Sequence, residues 1–309
     1  SLDTLAAGHT SLHGYARRTT PNLAALAAEA VVFERCLANA PWTSPSYASQ
    51  FTGLLPESSW SAPDPERTRP EAPDEPWRRW NVPAARVTLA ETLLAAGYRT
   101  AAFIDNPMCG AVFGFEQGFE LFDASAAAIP AQDPAGGLRA QLPLVLDWLA
   151  AQRGAPAFAF VNALDVHEPY LPAARVARQF EGDELARSEE QQPIGRDGRF
   201  AVVPERQART LLGAGELPAR MRTAPLVERY DAEILDLDAV LGELVAGLRA
   251  RGLLDELVLV ISADHGETMG APEHKFGHGT QVEAVLHVPL VVRLPGGAHG
   301  GTRVRTPVQ

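Results

Sequence analysis

The 309-residue chain has only two cysteines, Cys36 and Cys109, which excludes a disulfide scaffold and leaves room for one bridge at most. It has no N-x-S/T sequon. No apolar run reaches the ~20 residues that a membrane helix needs. The longest candidates, Leu23 to Phe33 and Leu257 to Ser262, are too short, and Glu29 interrupts the first. Positive charge is in the minority: 27 Lys plus Arg stand against 38 Asp plus Glu, a net charge of −11. A nucleic-acid partner would need the opposite balance. The G-x-S-x-G elbow, the P-loop, G-x-G-x-x-G and H-E-x-x-H are all missing. No signal peptide is legible, and Ser1-Leu2-Asp3-Thr4 and Thr306-Pro307-Val308-Gln309 read as ends cut from a longer protein. Compartment and oligomeric state therefore stay open.

What is present is an ordinary globular composition, 46% hydrophobic and 21% charged, long enough for a substantial core. Helical and strand patterns alternate. A helix is expected over Asn22–Ala30, with Pro21 before it and Thr20 as N-cap, then a strand over Val31–Phe33. Thr88–Ala96 reads as a helix stopped by Gly97, and Arg99–Ile104 as the next strand. Leu138–Arg153, closed by Gly154, precedes a strand over Phe158–Leu164. Val227–Arg251 carries Ile234, Leu237, Leu241, Leu244 and Leu248 on one stripe, and Gly252 ends it. Leu257–Ile261 reads as a strand buried on both faces, and Val288–Leu294 repeats its pattern. The expected fold is α/β, with a mostly parallel sheet covered on both sides and a site at the carboxyl ends of its strands. One domain is expected over 1–309, incomplete at both ends, with surface insertions at 56–83 and 181–225.

Polar groups follow the apolar runs. Ser262-Ala263-Asp264-His265-Gly266-Glu267 sets a carboxylate beside an imidazole just past a core strand, both good ligands for a divalent cation. His278 lies between Gly277 and Gly279, in a loop able to return a second imidazole. Asp165-Val166-His167-Glu168 leaves another strand end, and Asp3 follows Leu2 at what reads as a strand stub. Each alone is more often a cap, a turn or a packed side chain than a ligand. Only their convergence on one sheet edge would make a site. Hydroxyls crowd Thr43-Ser44-Pro45-Ser46-Tyr47-Ala48-Ser49, a stretch that also fits a plain turn into a helix. A hydroxyl beside a divalent ion becomes easier to deprotonate and so a better nucleophile.

Taken in order, these segments resemble the sulfatase family of the alkaline phosphatase superfamily. Asp3-Thr4-Leu5 with His13-Gly14-Tyr15 and Thr19-Thr20-Pro21-Asn22-Leu23 is similar to the family's opening. Pro41-Trp42-Thr43-Ser44-Pro45-Ser46-Tyr47, followed by Thr52-Gly53-Leu54-Leu55-Pro56, is similar to its nucleophile segment. Gly114-Phe115-Glu116-Gln117-Gly118-Phe119, Tyr230-Asp231, Asp264-His265-Gly266-Glu267, Gly277-His278-Gly279 and Val288-Pro289-Leu290 complete the series.

The resemblance implies an alkaline-phosphatase-like three-layer α/β/α sandwich. It also implies a divalent ion (Mn²⁺, Zn²⁺ or Ca²⁺) held by Asp3, Asp264 and His265. Thr43 falls at the nucleophile position, and His167 and His278 at positions that contact the transferred group. The implied activity is hydrolysis of phosphoric or sulfuric esters, or a related phospho-group transfer, on a small-molecule, sugar or lipid ester. Family sulfatases oxidise a Cys or Ser within C/S-x-P-x-R to formylglycine. Here Thr43 stands at that position and Tyr47 in place of the Arg, so no formylglycine is expected and phosphoesters are favoured. Ala6 and Gly8 also replace an Arg and an Asp common in relatives. Two alternatives stay open: an inactive member that keeps the fold, and a true sulfatase using Ser44.

Overall fold

Short aliphatic runs make the strands of this chain, and leucine stripes make the helices that cover them. The computed structural model describes residues 1–59, 81–128, 136–168, 170, 172, 176, 179–180, 226–269 and 276–309. Positions 60–80 of the first expected insertion, and all of 181–225, lie outside the described residues. In chain order the helices are α1 (Pro21–Leu26), α2 (Thr43–Thr52), α3 (Pro56–Ser59), α4 (Leu89–Ala95), α5 (Gly137–Ala151), α6 (Leu226–Ala250) and α7 (Glu283–Leu286). The strands are β1 (Val31–Leu37), β2 (Arg99–Phe103), β3 (Leu121–Asp123), β4 (Ala157–Val161), β5 (Leu259–Ser262), β6 (Thr268–Met269), β7 (Phe276–Gly277), β8 (His287–Arg293) and β9 (Arg303–Val304).

Two ladders, β3-β2-β4 and β5-β8-β1-β9, meet at the first residues of the chain. Leu2 pairs in parallel with Ala163, and its amide donates to the Ser262 carbonyl at 2.8 Å. Asp3 is thereby carried at the centre of the sheet, at its carboxyl edge. The β2, β3 and β4 pairings are parallel. β8 runs antiparallel to both β1 and β5. That is allowed because antiparallel neighbours need no crossover helix. One core joins α1, α5 and α6 to Val161, Leu259 and Ile261. A second joins Tyr47, Ala48 and Phe51 of α2 to Ala102, Ile104 and Phe160 on the opposite face. The three-layer arrangement follows from these two cores.

Local rules held in some places and were overridden in others. Thr88 caps α4 in a full capping box: its hydroxyl accepts from the Glu91 amide at 3.1 Å, and Glu91 accepts from the Thr88 amide at 2.8 Å. Thr20 was the expected cap of α1, but its hydroxyl accepts from Leu12 instead. The free amides of α1 are taken by the carboxylate of Asp238 on α6, which accepts from Asn22 and Leu23 at 2.7 and 2.8 Å. A carboxylate at a helix N-terminus satisfies two donors and meets the positive end of the dipole. α1 also stops at Leu26 and continues as a 3₁₀ turn over Ala27–Glu29. Both cysteines are buried and free. Among the described residues no helix is long and apolar enough to cross a membrane.

Leu257–Ile261 was expected to be buried on both faces, and its packing toward α6 is seen directly. Leu259 and Ile261 join the α6 core, but Val258 and Val260 are 57% and 53% exposed. Both valines border a space of about 380 Å³ that Ser1 and Leu2, the first residues of the given sequence, also line. Alternation puts successive side chains on opposite faces, so Leu259 and Ile261 share the face toward α6 and Val258 and Val260 the other. Ile261→Ala is expected to lower stability by ~2–5 kcal/mol. Urea unfolding checks this.

Candidate metal centre

The carboxyl ends of the central strands deliver Asp3 from the first segment and Asp264 and His265 from the turn after β5. One ligand atom from each lies within 4.8 Å of the others, and all three side chains are fully buried. The Asp264 Oδ1 accepts from the amides of Thr4 and His265 at 3.3 and 2.9 Å. Its Oδ2 and the Asp3 Oδ1 are buried without a hydrogen-bond partner. Buried carboxylate oxygens are rarely left unpaired. Here each belongs to a carboxylate of the same buried cluster.

His265 is set up to offer a lone pair within that cluster. Its Nδ1 lies 2.9 Å from the Gly266 carbonyl, which can only accept, so the ring proton sits on Nδ1. The Nε2 is left 3.4 Å from Asp264 Oδ2 and 3.4 Å from the Thr43 hydroxyl. Gly266 is needed at this turn: a Cβ there would lie 2.6 Å from the Ala284 carbonyl. Desolvation and then the charge of Asp264 raise the Asp3 carboxyl to about 6, and burial raises Asp264 to about 6. Burial lowers the His265 imidazolium to about 4. Two carboxyls that resist ionising beside a neutral imidazole form a donor set that a divalent cation fits: it supplies the charge they lack.

Thr43 is the first residue of α2, with Trp42 as N-cap. Its hydroxyl sits where unpaired helix amides favour negative charge. Ser46 of the same helix donates to the Asp264 carbonyl at 2.6 Å, fixing α2 against the Asp264-His265 turn. Ser44 is buried and donates to the Met108 carbonyl at 3.1 Å, so the cluster sees Thr43 and not Ser44.

The two further histidines flank the cluster. The His278 ring lies 4.6 Å from His265 and 5.3 Å from His167, centroid to centroid. Burial works against the His278 imidazolium, but the hydrogen bond to Glu267 at 3.3 Å and the charges of Glu267, Asp3 and Asp264 outweigh it, raising it to about 9. Glu267 is buried and also accepts from the Tyr170 hydroxyl at 2.9 Å. His167 is half-buried, its Nδ1 2.7 Å from the Glu168 carbonyl. All six expected site residues therefore lie at one sheet edge. Asp165 does not join them. It accepts from Leu138 at 2.9 Å and caps α5.

Sequence reasoning gave several neighbours of the cluster no role there. Asn106, in the loop after β2, donates to Asp3 Oδ2 at 2.6 Å. Tyr230 donates to the Thr4 carbonyl at 2.6 Å and accepts from the Ala6 amide at 2.9 Å. Thr4 itself has φ +57°, uncommon for a β-branched residue. Its hydroxyl bond to Val166 at 2.9 Å helps hold it there. The positions of Asn106 and Tyr230 after or opposite core elements were readable, but nothing in their spacing distinguished them from caps.

A family model described as "Sulfatase" matches residues 1–308. Human arylsulfatase A is 27% identical over 95% of this chain and 58% of its own length. The chain spans less than three-fifths of the curated relatives it matches first. Among solved structures, the phosphonate monoester hydrolase of Agrobacterium radiobacter superposes with a TM-score of 0.68 at 22% identity, covering 99% of this chain and 69% of that one. The C-terminal periplasmic domain of EcEptC from Escherichia coli, in complex with Zn, gives 0.64 at 16% identity, covering 96% and 72%.

Proposed function

The chain belongs to the sulfatase family, and on that premise we propose that it is a metal-dependent hydrolase of phosphoric or sulfuric esters, with phosphoesters favoured and Thr43 as nucleophile. The observation that carries this reading is the Thr43 hydroxyl 3.4 Å from the ligating face of His265, inside a buried cluster of two carboxylates and an imidazole. Asp3, Asp264 and His265 would hold the ion. When bound, a divalent cation lowers the pKa of a nearby hydroxyl and neutralises charge building on the transferred group. The imidazole ligand favours Mn²⁺ or Zn²⁺ over Ca²⁺. The zinc in the EcEptC domain supports the same choice.

The chain's own residues divide the remaining work. The Thr43 hydroxyl gives its proton up to solvent, and its oxygen attacks phosphorus while the bond from phosphorus to the leaving oxygen breaks. The N-terminus of α2 favours the negative charge that develops there. His167 and His278 bind the non-bridging oxygens. His278, kept protonated by Glu267, gives its proton to the leaving oxygen. Water then releases the group from Thr43. Threonine cannot be oxidised to the aldehyde of formylglycine, and that favours phosphoester over sulfate chemistry. The phosphonate monoester hydrolase likeness points the same way at the level of fold. The substrate class proposed is a small-molecule, sugar or lipid ester, and the site is proposed to lie within one domain.

A pH signature tests the ion-binding half of this reading. Asp3 and Asp264 hold protons up to about pH 6 in the fold, while free carboxyls lose theirs near 3.8. Between those values the fold binds more protons than the unfolded chain, so on their account stability falls as pH rises through 6. A cation must displace these protons below pH 6 but not above it. The rise in Tm on adding Zn²⁺ or Mn²⁺ to metal-stripped protein is therefore expected to be larger at pH 8 than at pH 5.5. An equal or smaller rise at pH 8 contradicts the ligand assignment.

A further inference from the structure

We infer that Tyr47 and Asn162 act as positioning residues for the metal carboxylate Asp3, working through Asn106, and that they tie the nucleophile helix to the ion's ligand set; the inference rests on the metal site proposed above. The chain of contacts is continuous and buried. The Asn162 Oδ1 accepts from the backbone amides of Asp105 and Asn106 at 3.2 and 2.7 Å. That fixes which end of the amide is oxygen, so its Nδ2 donates to the Tyr47 hydroxyl at 2.9 Å. The Asn106 Oδ1 in turn accepts from Met108 at 2.8 Å, which leaves Nδ2 to donate to Asp3 Oδ2 at 2.6 Å. Asn106, Asn162, Tyr47 and Asp3 are all at most 3% exposed.

The consequence for Asp3 is geometric. Its Oδ2 is held by Asn106, and its Oδ1, without a hydrogen-bond partner, is the atom left for a cation. Outer partners that orient a ligating carboxylate commonly matter to affinity nearly as much as the ligands do. Tyr47 lies one helical turn after Thr43 on α2. The same loop is tied to α2 a second time, by Ser44 donating to the Met108 carbonyl. A shift of α2 therefore moves Asp3, and a shift of Asp3 moves α2. Tyr47 stands where formylglycine sulfatases carry an arginine. In this chain its hydroxyl is one end of a positioning network.

The test is a double-mutant cycle on cation affinity, with metal-stripped protein and Zn²⁺ alone as the probe. Asn106→Ala is expected to weaken Zn²⁺ binding ~10–100-fold in calorimetric titration. Tyr47→Phe, which removes one oxygen and keeps the ring packing, is expected to weaken it by a smaller factor. The double variant should bind no more weakly than Asn106→Ala, because both act on one path. The Co²⁺ absorption spectrum of Tyr47→Phe should differ from wild type, a change that a purely structural role would not produce. A Tyr47→Phe protein with wild-type Zn²⁺ affinity and an unchanged Co²⁺ spectrum overturns the inference, as does a double variant whose losses multiply. The spectrum decides alone if Asn106→Ala does not fold. Wild-type protein that binds no Zn²⁺ would bring down the metal site itself; wild-type binding with unaffected variants removes only the network.

Discussion

Thr43→Ala is expected to lower turnover of the best phosphate ester by ~10³-fold or more, the scale seen when a nucleophile acting within a unit is removed. Thr43 is 4% exposed and contributes one methyl and one hydroxyl at the start of α2, so the variant should fold. The hydroxyl is not among the three clustered side chains proposed to hold the ion, and Zn²⁺ affinity should change far less than turnover. Thr43→Ser keeps the oxygen and should recover much of the rate. Full turnover in Thr43→Ala with the ion still bound would remove the nucleophile assignment. Steady-state assays beside calorimetric titration of the same preparations give both numbers.

Asp264→Asn is expected to weaken cation binding by more than the ~10–100-fold that loss of an outer partner costs. The substitution is nearly isosteric. Its carbonyl oxygen can still accept from Thr4 and His265, as Oδ1 does now. The change falls on Oδ2, which has no hydrogen-bond partner and faces His265. Without the ion, the variant should be at least as stable as wild type at pH 8. The Asp264 charge is among the causes that push Asp3 upward, and removing it relieves repulsion between two buried acids. Lost binding with retained or raised Tm is the pattern of a site maintained at a cost in stability. Lost binding with a collapsed fold would instead make Asp264 a structural residue.

Much of this was legible in the residues. The apolar runs at Val31–Phe33, Arg99–Ile104 and Val288–Leu294 announced strands β1, β2 and β8, and the stripe from Ile234 to Leu248 announced α6. Thr88 and Gly97 marked the ends of α4 because caps are local chemistry. What failed depended on distant partners. The cap of α1 comes from Asp238, more than two hundred residues away, and no local rule selects it over Thr20. The candidate site was readable where a motif concentrates metal-binding side-chain types, as in Asp264-His265. Asn106 and Asn162 act through single hydrogen bonds, which leave no periodic trace, so the supporting network emerges only in three dimensions.

The most direct test of the central claim is hydrolysis of p-nitrophenyl phosphate, bis(p-nitrophenyl) phosphate and p-nitrophenyl sulfate by metal-stripped protein, with Mn²⁺, Zn²⁺ or Ca²⁺ added back. The account predicts turnover of a phosphate ester that appears with Mn²⁺ or Zn²⁺, disappears on chelation and is absent in Thr43→Ala. Turnover of the sulfate alone, or phosphate turnover that survives both chelation and Thr43→Ala, would contradict it.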